Sequence, residues 1–235
     1  MLAALGWGVL AAASLVLGAA LAFVRRWRPG PVGAVLAFGA GALMSSVAFE
    51  LAEEGFEIGT PLAVASGLAV GAVTFFFADR AVERLGGREG GESSGFPLAL
   101  GSLLDGVPEQ LVLGIGLASG QGVSVALLIS IFVSNLPEAL GSSAEMRDAG
   151  RTRGFILGLW LTVAGICALA TVAGFAIADL VSGNVRAAIN GFAAGALLVM
   201  LVDSMVPEAR EKFGDKAGLA AVLGFALAAG LSNLT

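Results

Sequence analysis

Histidine and tyrosine are absent from this chain of 235 residues, and cysteine occurs once, at position 167. A lone cysteine excludes a disulfide framework. Without histidine, the usual pairing of a nucleophile with an imidazole base is missing, so no enzyme is expected, with only an aspartyl pair left open. Charge is scarce too. Asp, Glu, Lys and Arg make up 13% of the chain, against about 25% in a soluble domain. The net charge of −5 excludes the basic surface that a nucleic-acid partner requires. What is present instead is apolar: 57% of the residues, against about 45–50% in a soluble domain. The 35 glycines are roughly double the ordinary share, and small residues let membrane helices approach closely.

Long apolar runs divide the chain. Residues 2–24, 31–49, 60–78, 154–178 and 217–235 carry no charge, and the runs 96–119, 122–144 and 187–207 are apolar but interrupted by acids. About 20 helical residues cross the hydrocarbon layer. The expected fold is therefore an all-α membrane protein of eight transmembrane helices, a single domain over 1–235 with the lipid bilayer as its solvent. The helices are placed at about 2–24, 31–53, 60–80, 96–119, 122–146, 154–181, 186–208 and 215–234. The segment 81–95, rich in Gly, Ser, Arg and Glu, reads as a flexible cytoplasmic loop. The first run has no basic residues before it, and Arg25, Arg26 and Arg28 follow it. It reads as a first transmembrane helix with its N-terminus outside, not as a signal peptide.

The basic residues fix an orientation. Arg25, Arg26 and Arg28, then Arg80, Arg84 and Arg88, then Arg147, Arg151 and Arg153, then Arg210, Lys212 and Lys216 fall in alternate connections, all on one side. Only Arg186 falls on the other. Positive charge stays cytoplasmic on insertion, which predicts both termini extracytoplasmic in a multi-pass protein of the cell membrane.

An internal similarity suggests how the helices are arranged. Phe38 to Glu54 reads FGAGALMSSVAFELAEE and Phe192 to Glu208 reads FAAGALLVMLVDSMVPE, sharing Phe, Ala-Gly-Ala-Leu and the final Glu at one constant spacing. The predicted orientation runs the two helices in opposite directions, the mark of inverted repeats in secondary transporters. The implied plan is 3+2+3, with helices 4 and 5 between the repeats.

Those two helices carry the chemistry. Helix 4 contains Asp105-Gly106-Val107-Pro108-Glu109, and helix 5 contains Ser134-Asn135-Leu136-Pro137-Glu138. At about 1.5 Å per residue, both clusters fall near the middle of the membrane. A charge there costs about 2.5–3.5 kcal/mol on insertion scales and is functional by default. Asp105 and Glu109 are four residues apart, as are Ser134 and Glu138, so each pair shares a helix face. Each proline removes a backbone N–H and displaces the carbonyl four residues earlier, freeing those of Leu104 and Val133. Carboxylates, freed carbonyls and small polar groups make an oxygen-lined cation site of the kind hard divalent ions prefer. Neither helix carries a Lys or Arg within its membrane core to neutralise the acids. Glu50, Glu53, Glu54 and Glu57 at the outer end of helix 2, and Asp203 and Glu208 on helix 7, extend the acids towards the two faces. The ordinary alternatives are a solvated helix end for Glu53, Glu54 and Glu57, an interhelical contact for Asp203, and a helix terminus with a surface ion pair for Pro207-Glu208. Met44 reads as core.

With Pro-Glu repeated in two consecutive central helices, the chain resembles the ZIP (Zrt/Irt-like) family of divalent metal transporters along nearly its whole length. Where that family has His-Asn-x-Pro-Glu-Gly in helix 4, this chain has Asp105 to Gln110; in helix 5 the polar pair before x-Pro-acid is Ser134-Asn135; in helix 7 the matching stretch is Asp203 to Glu208. The resemblance implies import of divalent cations of the zinc, manganese or iron(II) class. It implies a mid-membrane site drawn from Asp105, Glu109, Ser134, Asn135, Glu138 and Asp203, with Met44 near a further position. The metal is cargo, and no organic cofactor is implied. Asp105 in place of histidine, Gly106 in place of asparagine and Ser204 in place of a helix 7 acid deplete the second metal position and move the donor set away from the N and S ligands zinc favours. A divergent, histidine-free member with one main site is expected. Two other functions fit the residues: a proton-linked or monovalent-cation carrier, since buried carboxylates also relay protons, and a non-transporting scaffold. Gly33, Ala37 and Gly41 offer helix 2 a face for packing within one subunit or between the halves of a homodimer.

Overall fold

The computed structural model describes residues 1–88, 95–118 and 124–232, and among the described residues the chain is helical, with no strand. Helix α1 spans Leu2–Leu21 and α2 spans Pro29–Ile58; α3 is Pro61–Arg88, α4 Gly95–Ala118, α5 Val125–Asp148 and α6 Arg153–Ile177. Helix α7 starts as Gly183–Met200, passes through a π-helical stretch Leu201–Met205 and continues as Val206–Phe213; α8 is Ala217–Ser232. Helix α2 contains a matching π-helical stretch, Val47–Glu53.

Among the described residues, six helices are long and apolar enough to cross a membrane: Leu2–Leu21, Pro29–Ile58, Pro61–Val82, Val125–Asp148, Arg153–Ile177 and Gly183–Ser232, which takes in α7 and α8. The last is broken at Gly214, whose φ of 70° lies where residues with a Cβ are strained. Helix α4 carries Asp105, Glu109 and Gln110 near its middle. Large apolar side chains remain exposed on the outside, among them Leu62, Leu161, Leu169, Leu219, Val222 and Leu223. Water would not tolerate so much exposed apolar surface, whereas lipid requires it. The chain is a multi-pass helical membrane protein.

Helix ends differ from the expected ones for local reasons. Helix α1 stops at Leu21, short of 24, because its last carbonyls are taken: the Trp27 indole donates to Leu21 O at 2.9 Å and the Arg147 guanidinium donates to Ala22 O. Helix α3 continues to Arg88, correcting the loop expected from 81. No Gly or Pro interrupts the stretch before Gly86, and Arg80 folds back over the Phe76 ring. Residues 89–94 of that loop lie outside the described residues. Pro207 does not end α7. It stands in the first turn after the π stretch, where its missing N–H is harmless, and the helix runs on to Phe213. Ser124 and Thr152 cap α5 and α6 by accepting from the amides of Leu127 and Phe155.

Packing follows two related sets of contacts. Helix α8 lies along α2 and α3 along the first half of α7; α1 packs on α5 and α6 packs on α4, with α1 and α6 side by side. The α2–α8 pair meets at Gly41 against Ala221 O and at Gly224 against Phe38 O; the α3–α7 pair meets at Gly195 against Leu68 O and at Gly71 against Phe192 O. At each point a Cβ would overlap the facing carbonyl. The spacing that takes Phe38 to Phe192 also takes Gly41 to Gly195, and it takes Val47 to Leu201, where the two π stretches begin. The spacing that takes Leu68 to Ala221 likewise takes Gly71 to Gly224. Helices α2 and α7 run in opposite directions, with Gly33 beside Lys212 and Gly39 beside Met205. One apolar core gathers α2, α7, α4 and α5; a second gathers α1, α5 and α6 around Trp160. Helices α4 and α5 sit between them.

Candidate metal site

Pro108 and Pro137 lie inside continuous helices, so the residues after them stay on the faces that helical spacing assigns. Glu109 is 1% exposed, and Ser134 and Asn135 are 2% and 3% exposed; Glu138 is partly buried. The charge of Glu138 acts on Glu109, which places the two acids of the two proline-containing helices near one another. Ser102, two turns before Glu109 on α4, donates a hydrogen bond to Glu138 Oε1 at 2.5 Å and ties the helices together there. Glu109 Oε2 and Asn135 Nδ2 are buried and have no hydrogen-bond partner. The Ser134 hydroxyl donates to Ile131 O at 3.1 Å, which leaves its lone pairs available.

This donor set suits a hard cation. It offers two carboxylates and small hydroxyls, and the charges that act on Glu109 and Glu138 come from other acids. A buried carboxylate oxygen without a partner is a costly arrangement that an arriving cation relieves. Among the described residues no three of His, Cys, Asp and Glu converge closely enough to hold a metal.

The expected residues divide accordingly. Glu109 and Glu138 lie near one another, and Ser134 and Asn135 are buried on α5 in the turn before Glu138. Asp105 lies in the helical backbone of α4, and its side chain lies outside the described residues. Asp203 is exposed within the π stretch; the helix 7 acid whose charge acts on Glu138 is Glu208. Sequence reasoning missed Ser102, though a signal existed: it lies seven residues before Glu109, on the same face. It also missed two buried contacts that hold the central helices to their neighbours, Ser46 Oγ donating to Ser130 Oγ at 2.9 Å and Thr171 Oγ1 donating to Gln110 Oε1 at 2.5 Å.

The site thus defines a class: a multi-pass membrane protein with an acid pair, one member fully buried, between two proline-containing helices. No protein-family model matches the chain, and no curated protein matches it significantly in sequence.

Proposed function

We propose that this protein is a ZIP-like importer of divalent metal cations of the zinc, manganese or iron(II) class, working in the cell membrane through a carboxylate site on α4 and α5. The observation that carries the reading is the Glu109–Glu138 pair, with Glu109 Oε2 buried and unpartnered. Intramembrane acids that face one another without a basic partner mark ion pathways. The reading takes all eight helices as spans with both termini extracytoplasmic, in a 3+2+3 plan. The antiparallel α2 and α7, their matched π stretches and the paired glycine contacts support that plan. Alternating access then amounts to one helix set rocking against the other around a fixed site. π stretches are frequent at functional positions, and here they interrupt the two helices that flank the site.

The test is uptake of a panel of divalent ions by reconstituted liposomes. Saturable uptake that falls to the level of empty vesicles in Glu109→Ala/Glu138→Ala is expected. A folded, inserted protein that moves none of the ions overturns the reading and brings forward a proton-linked carrier or a scaffold.

A further inference from the structure

Below Glu138, towards the end of α5, the side chains on its face are Ser142 and Glu145, four and seven residues on. Helix α7 brings Glu208 and Lys212 against this stretch. Lys212 Nζ pairs with Glu208 Oε1 at 2.5 Å, both side chains being partly buried. The pair rests on Gly141: a Cβ there would lie 3.4 Å from Lys212 Nζ and 3.9 Å from Glu208 Oε1. From the other side the stem of Lys212 is backed by α2, where its Cβ lies against Gly33. Small residues on two helices thus make the slot this one lysine fills. The charges around it form a series: Glu208 acts on Glu138 and on Glu145, and the cation acting on Glu145 is Lys212. Arg147 is engaged elsewhere, with Asp148 and Ala22 O.

We infer that Lys212 is a tethered cation that closes the inner end of the route below Glu138, standing among Glu145 and Glu208 where a transported cation would pass and bridging α7 to α5. The route rests on the transport reading; the closure is a property of this packing and can be measured without transport. An ammonium on a flexible four-carbon stem can swing aside, and a partly exposed ion pair holds it only weakly. Both features suit a contact that must open.

The test is the rate at which Ser142→Cys, in a Cys167→Ala background, reacts with an uncharged, water-soluble thiol reagent in nanodiscs. Lys212→Met and Glu208→Gln are each expected to speed labelling at least about ten-fold, as an added local opening would. Lys212→Arg, which keeps charge and reach, is expected to stay within about two-fold of the parent. Labelling of Lys212→Met at the parental rate overturns the closure. So does equal acceleration in Lys212→Arg, which would trace the effect to packing instead of charge. A second reporter, Ala126→Cys at the far end of α5, is expected to keep its rate, and its acceleration would mean general loosening and would likewise overturn the proposal. Metal uptake by the same proteins in liposomes judges the transport reading separately: failure there with the labelling pattern intact removes the importer and leaves the closure.

Discussion

Glu109 holds a carboxylate at 1% exposure with one oxygen lacking a partner, and a buried unsatisfied group costs roughly 1–3 kcal/mol. The fold tolerates this expense at a position where an apolar side chain of similar volume would fit. Glu109→Met is therefore expected to raise the melting temperature in detergent by several degrees, since about 1 kcal/mol shifts a chain of this size by roughly 2–4 °C. The same variant is expected to lose metal uptake. A lower melting temperature would make the carboxylate a structural group and remove the main support for the ion site. This residue and Glu138 were legible in sequence because proline followed by glutamate inside an apolar run has few ordinary explanations. Ser102 was not, because a serine in a membrane helix is common and only its partner, Glu138, distinguishes it. The exposure of Asp203 within the π stretch of α7 was not legible either, because an acid in an apolar run carries no sign of the turn it sits in.

Among the helices, close contacts pair Gly41 with Ala221 in one helix pair and Gly195 with Leu68 in another. A side chain at either glycine must push a whole helix away, because the obstacle is backbone. Overpacking typically costs about 1–3 kcal/mol, so Gly41→Val and Gly195→Val are both expected to lower the melting temperature, and by similar amounts. At Gly158 a Cβ meets nothing within 4 Å, and Gly158→Ala is expected to be neutral or to stabilise by up to about 1 kcal/mol through helix propensity. Thermal melts of the three variants check this; a large loss in only one of the valine variants would break the equivalence of the two contacts. Helix existence was legible from apolar runs and boundary residues. The π stretches were not, because hydropathy reports burial and carries no trace of one extra residue in a turn. The run of α7 past Pro207 was obscured likewise, since proline signals a stop unless the preceding turn has already absorbed its missing N–H.

For the molecule as a whole, the proposed topology rests on the distribution of arginine and lysine, which needs no knowledge of packing. If α4 crosses the membrane and α7 and α8 cross separately, the connections near Gly30, Ala149 and Asp215 share one face and Ser182 lies on the other. If α4 does not cross and Gly183–Ser232 passes as one span, Ala149 moves to the face opposite Gly30, and Ser182 joins Gly30. Two features favour the first arrangement. Arg147, Arg151 and Arg153 flank Ala149 as basic residues flank the other inner connections, and the break at Gly214 turns α8 back along α2, beside which α7 runs in the opposite direction. Single cysteines placed at the four positions in a Cys167→Ala background, Gly30 partly exposed and the other three exposed, are to be labelled on intact cells with an impermeant thiol reagent. Ser182→Cys is expected to react at once, whereas Gly30→Cys, Ala149→Cys and Asp215→Cys react only after the membrane is opened. Labelling of Ala149→Cys on intact cells would keep α4 from spanning. Glu109 and Glu138 would then no longer lie midway between two crossings, and the ion route would lose the membrane-centred site on which it depends.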